Sequence, residues 1–239
     1  MNMESRILKR HEKAKLGNPI LSELDAIRIE SIKRDAEKRN IDQIRKLLDK
    51  VPTRFREKNF SNFISEHSDQ AKTKSICERF VLTFKKRLEE GNSLMFLGNP
   101  GTGKTLLSLI IYQSIVKAGF HAQYESSLSF LRILQEKRFE SSAAFQSILD
   151  TYKRCDLLIL DEVTESLTKD GFPSEYDQKL LFEVVNARYE IGNRCTIVIS
   201  NRDKSELKNR IGNPVYDRLS ENGITLAFNW DSYRQKRKE

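Results

Sequence analysis

The eight residues Gly98-Asn99-Pro100-Gly101-Thr102-Gly103-Lys104-Thr105 constrain this chain more than any other stretch in it. They satisfy the pattern GxxxxGK[ST] in full. They also stand where that pattern has structural meaning, after the apolar run Ser93-Leu-Met-Phe-Leu97 and ahead of an apolar helical pattern from Leu106 to Val116. A strand, a glycine loop and a helix in that order make a cradle for phosphate oxygens. The glycines let the backbone approach with its N–H groups inward, and the helix N-terminus adds partial positive charge. Lys104 is then placed for the β- and γ-phosphates and Thr105 for Mg²⁺, so the expected cofactors are ATP and Mg²⁺.

Four apolar residues, Leu157-Leu-Ile-Leu160, end in Asp161-Glu162, 57 positions after Lys104. Read as a strand, the run delivers both carboxylates to the sheet edge that holds the phosphate loop. Asp161 suits Mg²⁺, and Glu162 suits orientation and deprotonation of the attacking water. Acids that end a strand are ordinary turn residues on their own; beside a phosphate loop they point to hydrolysis. Asn201, after Thr196-Ile-Val-Ile-Ser200, is the candidate that holds the lytic water or senses the γ-phosphate, against the plainer reading of a turn residue.

Strands expected over 93–97, 121–125, 157–160 and 196–200 alternate with helices expected over 106–116, 128–135 and 180–189. That alternation predicts an α/β fold, a mostly parallel sheet flanked by helices. Ahead of it, residues 20–51 read as helix. Ile20, Leu24, Ile27 and Ser31 share one stripe; Ile41, Ile44, Leu47 or Leu48, and Val51 share another, with the charged run SIKRDAEKR between them. The expected organisation is a helical partner-binding arm and linker over 1–57 and an ATPase domain over 58–239.

The formal charge of +8 is concentrated in residues 1–58, where 16 Lys and Arg face 10 Asp and Glu. A basic arm suits a polyanion, although the same charge also keeps a helical surface solvated. Cys77, Cys155 and Cys195 have neither CxxC spacing nor a nearby His pair, which argues against zinc and against a disulfide framework. Apolar runs are interrupted by charge within a dozen residues, and the first 15 residues lack the apolar middle of a secretory signal. The expectation is a cytoplasmic protein with no membrane partner.

With these motifs in order, the chain resembles AAA+ ATPases, and its C-terminal part narrows the resemblance. Val215-Tyr216-Asp217-Arg218-Leu219 and Phe228-Asn-Trp-Asp-Ser-Tyr-Arg234 are similar to the end of the bacterial and prophage DnaC-type helicase loaders, in the DnaC/IstB-like group. Asn59-Phe60-Ser-Asn-Phe63 is similar to a Ser-Phe-Glu-Asn-Tyr stretch of the same family, and the likeness spans roughly residues 58–236. The resemblance implies that Arg218 is an arginine finger for a neighbouring subunit and Arg234 a second sensor for its own nucleotide. The alternative for Arg218 is a local salt bridge, with Asp217 the nearest acid. Two positions depart from the family: Asn213-Pro214 stands where Glu-Arg is usual, and Val163-Thr164 where Ile-Gly is usual.

The resemblance also implies that the helix from Leu128 to Phe139 meets single-stranded DNA. Arg132, Lys137 and Arg138 would track phosphates and Phe139 would stack on a base, with Tyr176 a further candidate in the same channel; for Phe139 the alternative is core packing. The function implied is ATP-dependent delivery of a DnaB-type hexameric replicative helicase onto single-stranded DNA, with self-association through the ATPase domain. The alternatives are an IstB-like transposition helper ATPase and an ATP-gated DNA-binding adaptor.

Overall fold

A computed structural model describes residues 30, 31, 34, 41–163 and 174–234. The chain divides into two compact units, Met1–Lys46 and Leu47–Glu239. Residues 30, 31, 34 and 41–49 are helical. Ile20, Leu24 and Ile27 of the expected first stripe lie outside the described residues.

The second unit opens at Leu47, whereas the sequence pattern puts a border after Glu57. Three bonds that no local pattern reports hold the intervening stretch. The Tyr112 hydroxyl donates to the Leu47 carbonyl (3.0 Å), Lys50 Nζ to Gln123 Oε1 (3.0 Å) and Gln113 Nε2 to the Phe55 carbonyl (3.1 Å). Val51 is buried beside them.

Among the described residues five strands form one sheet: β1 (Ser93–Gly98), β2 (Ala122–Ser126), β3 (Leu157–Asp161), β4 (Cys195–Ser200) and β5 (Gly223–Phe228). Their order is β2-β3-β4-β1-β5 and every pairing is parallel. The first four agree with the expected runs to within one residue at each end. The central strands β1, β3 and β4 are buried on both faces, which is why they read as unbroken apolar runs. The edge strand β5 is different: Leu226 and Phe228 are buried while Ile224 is 42% exposed, so its pattern is weak.

Eight α-helices complete the unit among the described residues, besides two 3-10 turns at Thr53–Phe55 and Phe60–Asn62: α1 (Ser68–Leu82), α2 (Phe84–Glu89), α3 (Lys104–Lys117), α4 (Ser127–Glu140), α5 (Ser142–Arg154), α6 (Glu175–Ile191), α7 (Lys204–Ile211) and α8 (Asn213–Glu221). Met95, Leu97, Leu158, Leu160 and Val198 point to one face, where they share a core with α4 to α8. Their alternate neighbours face the other side, where α3 packs on β2, β3 and β4 with α1 behind it. Polar caps start the helices: Ser126 for α4, Ser141 for α5, Ser174 for α6 and Asp203 for α7 each accept from a backbone N–H of the first turn.

Beneath the sheet lies Arg188, 2% exposed, on α6. Its guanidinium donates to the carbonyls of Tyr152 (2.7 Å), Cys155 (2.9 Å) and Cys195 (2.6 Å) and to Thr196 Oγ1 (3.0 Å). One side chain thus ties the end of α5 to the starts of β3 and β4. Burial pushes the guanidinium below its ordinary pKa. Cys77, Cys155 and Cys195 are all buried and free.

Candidate active site

Parallel strands deliver their C-terminal ends to one edge, and register decides which residues meet there. Leu97 pairs with Ser200, so Gly98 and Asn201 leave neighbouring strands at the same level. Ser126 pairs with Asp161 on the other side of β3. The phosphate loop, Asp161-Glu162 and Asn201 therefore share one edge, as their spacing predicts.

Within the loop, Gly98, Gly101 and Gly103 all have positive φ (125°, 78° and 94°). Lys104 opens α3 and folds back, donating to the carbonyls of Gly98 (2.7 Å) and Asn99 (2.6 Å). Burial pushes its amine down to about 8, with Asp161 opposing and Arg234 adding to the shift. Thr102 is fully buried and caps the Asn99 carbonyl (2.7 Å). Pro100 and Asn99 are exposed at the loop tip.

Thr105 Oγ1 donates to Asp161 Oδ2 (2.8 Å), and the Tyr124 hydroxyl donates to the same oxygen (3.0 Å). Asp161 Oδ1 is buried and finds no hydrogen-bond partner among the described residues. Burial pushes this carboxyl above its ordinary range, against the pull of Thr105, Tyr124 and Lys104. A buried carboxylate oxygen without a partner, beside a hydroxyl oxygen, is the donor set that a hard cation takes. Thr105 and Asp161 therefore offer a donor set of the kind Mg²⁺ takes. Tyr124 escapes a sequence reading, because only the pairing of β2 with β3 brings it there.

Glu162 is exposed with φ 58°, one of two non-glycine residues of positive φ among the described residues. Such backbone is held only where its surroundings fix it. Here the fix is the next residue, whose N–H donates to the Ile199 carbonyl (3.0 Å). Asn201 is half-buried beyond β4.

The two arginines separate. Arg234 stands by the loop: a Cβ added at Gly101 would lie 3.6 Å from Arg234 Cδ. Arg218 lies at the other end of the sheet, lining a cavity of about 350 Å³ shared with Gly91 and Ser93 at the start of β1. Five steps along β1, at about 3.3 Å each, put roughly 16 Å between that level and its own phosphate loop. Arg218 does not pair with Asp217, which turns to Lys208 (3.8 Å). It donates to the Pro214 carbonyl (3.0 Å) and sits over the rings of Phe182 (5.0 Å) and Tyr189 (5.6 Å) of α6, with Nε buried and unpartnered. Arg194 Nε, lining the same cavity, is also buried and unpartnered.

A second group forms at the end of α4. Phe139 is 91% exposed, so it is not a core residue. Arg138 donates to the Tyr176 hydroxyl (2.6 Å) and lies 5.3 Å over its ring. Arg132, seven residues before Phe139, shares its helical face and is exposed, while Lys137 pairs with Glu140.

The description "IstB-like ATP binding protein" belongs to the family whose model matches residues 22–239. "Replicative helicase loader DnaC" of Buchnera aphidicola subsp. Schizaphis graminum is 28% identical over 179 residues, 74% of this chain and 69% of that protein. "Insertion sequence IS5376 putative ATP-binding protein" of Geobacillus stearothermophilus is 27% identical over 196 residues, 80% of this chain and 72% of that protein. The crystal structure of the DnaC helicase loader superposes with TM-score 0.65 at 22% identity, over 74% of this chain and 99% of that one.

Proposed function

The chain belongs to the IstB-like ATP-binding family and has the AAA+ α/β fold, and from that premise we propose that it hydrolyses ATP to place a DnaB-type replicative helicase on single-stranded DNA. The observation that carries the hydrolytic part is the division of the site. Lys104, Thr105, Asp161, Glu162 and Asn201 converge on one sheet edge, while Arg218 stands about a strand length away. A subunit so arranged binds ATP alone and needs a neighbour's arginine to complete the site. Lys104 and the loop amides hold the β- and γ-phosphates, and Thr105 and Asp161 hold Mg²⁺, which neutralises phosphate charge. Glu162 orients the attacking water and takes its proton, Asn201 fixes that water, and Arg234 reads the nucleotide of its own subunit. Glu162→Gln is expected to bind ATP normally and to lose about a hundredfold or more in turnover. Wild-type turnover in that variant would assign the base elsewhere.

The DNA part rests on the exposed group at the end of α4. Phe139→Ala should weaken binding to single-stranded DNA by about 1–3 kcal/mol. Thermal stability should not change, because the ring is 91% exposed. Equal DNA affinity in a titration of labelled oligonucleotide would remove Phe139 from the interface.

The likeness to named DnaC loaders supports the helicase as partner, and the likeness to the IS5376 protein keeps a transposition helper as the second reading. The full chain, mixed with a hexameric replicative helicase and protein-coated circular single-stranded DNA, should co-elute with the helicase and leave it on the circle. Co-elution with a transposase instead, with no helicase captured, would establish the second reading. The setting proposed is the cytoplasm, where these partners work; no described helix is long and apolar enough to cross a membrane.

A further inference from the structure

We propose that the segment following β5 sets the donor geometry of the phosphate loop, with Trp230 and Tyr233 as positioning residues; this rests on the loop being the ATP site. The Tyr233 N–H donates to the Gly101 carbonyl (3.0 Å) and Trp230 Nε1 donates to the Thr102 carbonyl (3.1 Å). A trans peptide is planar, with C=O and the following N–H pointing in opposite directions. Holding the Gly101 carbonyl outward therefore turns the Thr102 N–H inward. Holding the Thr102 carbonyl outward does the same for the Gly103 N–H. The carbonyls of Gly98 and Asn99 face the other way, toward Lys104. The tail thus divides the loop into an outer pair of carbonyls that it holds and an inner pair of amides that it aims.

The clasp is built as a unit. Phe63, 2% exposed, meets Trp230 and Tyr233 edge-on at centroid distances of 6.3 and 6.0 Å. The Tyr233 hydroxyl donates to the Ile64 carbonyl (2.6 Å), which anchors the tail to the segment before α1. The approach is close enough that a Cβ at Gly101 would fall 2.0 Å from Ser232 Oγ, and one at Gly103 2.7 Å from Phe63 Cε2. At these two positions the clasp leaves no room for a Cβ on the outer side of the loop, and the positive φ disfavours a side chain independently.

Trp230 is the only tryptophan in the chain, so the loop carries its own reporter. Inorganic triphosphate and ATP should change its fluorescence, and adenosine should not. Trp230→Phe keeps an aromatic ring and removes the indole N–H donor; it should weaken ATP about 3- to 10-fold in a calorimetric titration. The same variant should leave adenosine affinity and the nucleotide-free melting temperature near wild type. Lys104→Ala, run in parallel, separates two failures. If the wild type does not bind ATP, or Lys104→Ala binds it equally well, the loop is not the ATP site. If wild type binds and Lys104→Ala does not, yet Trp230→Phe binds ATP like wild type, the clasp does not position the loop. A fluorescence signal from the wild type indifferent to triphosphate overturns the proposal even should Trp230→Phe misfold.

Discussion

Arg218→Ala and Lys104→Ala proteins, each inactive alone, should recover ATP turnover when mixed on single-stranded DNA. Lys104→Ala should hold no ATP, because on the proposed site it lacks the charge that would face the β/γ-phosphates. Arg218→Ala keeps its loop and its ATP affinity but offers nothing to the next subunit. A finger of this kind is worth ~10³ or more in rate. At junctions between unlike faces assembled in random order, about one in four unites an intact loop with an intact finger. Recovery should approach that fraction of wild-type turnover. The prediction comes from the level at which Arg218 sits, beside Gly91 and Ser93 and not beside Gly98. No recovery, with co-assembly shown by light scattering, would leave Arg218 as a local partner of the Phe182 and Tyr189 rings.

Arg188→Leu should cost the fold about 3–5 kcal/mol in urea denaturation, because several buried acceptors lose their donor at once. The large value follows from what remains. The carbonyls of Tyr152, Cys155 and Cys195 and the hydroxyl of Thr196 stay where they are, and leucine satisfies none of them. An unsatisfied buried acceptor costs about 1–3 kcal/mol. Arg188→Lys keeps the charge but has no planar fork with which to span three strand and helix ends, so it should fail nearly as badly. A loss under about 1 kcal/mol in the leucine variant would mean that water replaces the guanidinium there.

The parts that the sequence made readable share one property: their signal is local. The runs that became β1, β3 and β4 are buried on both faces, and the glycine loop is contiguous, so these three strands and the strand–loop–helix order around the loop could be placed from spacing alone. Strand β5 was not legible, because an edge strand with Ile224 and Ala227 exposed has no continuous apolar run. Helices α5 and α7 were missed although Ser141 and Asp203 announce their starts, since neither cap precedes a strongly apolar stretch. Asp217 was the nearest acid to Arg218 in sequence, but consecutive helical residues diverge in direction and do not face one another. Tyr124, Arg188 and the outer contacts of Trp230 depend on partners 37, 36 and 128 positions away, which a single sequence does not display.

Because the glycine loop and Arg218 occupy opposite ends of β1, the assembly proposed above would give an open row of subunits two unlike termini. At one of them a nucleotide would be loaded with no arginine arriving; at the other, Arg218 would have no neighbour's nucleotide to reach. The terminal nucleotide should therefore outlive all the rest. A single-turnover experiment on a row of fixed length should leave a residue of uncleaved ATP equal to one molecule per row. Row length becomes readable from chemistry, and any protein that brings an arginine to the loaded terminus acts as the trigger for the last hydrolysis.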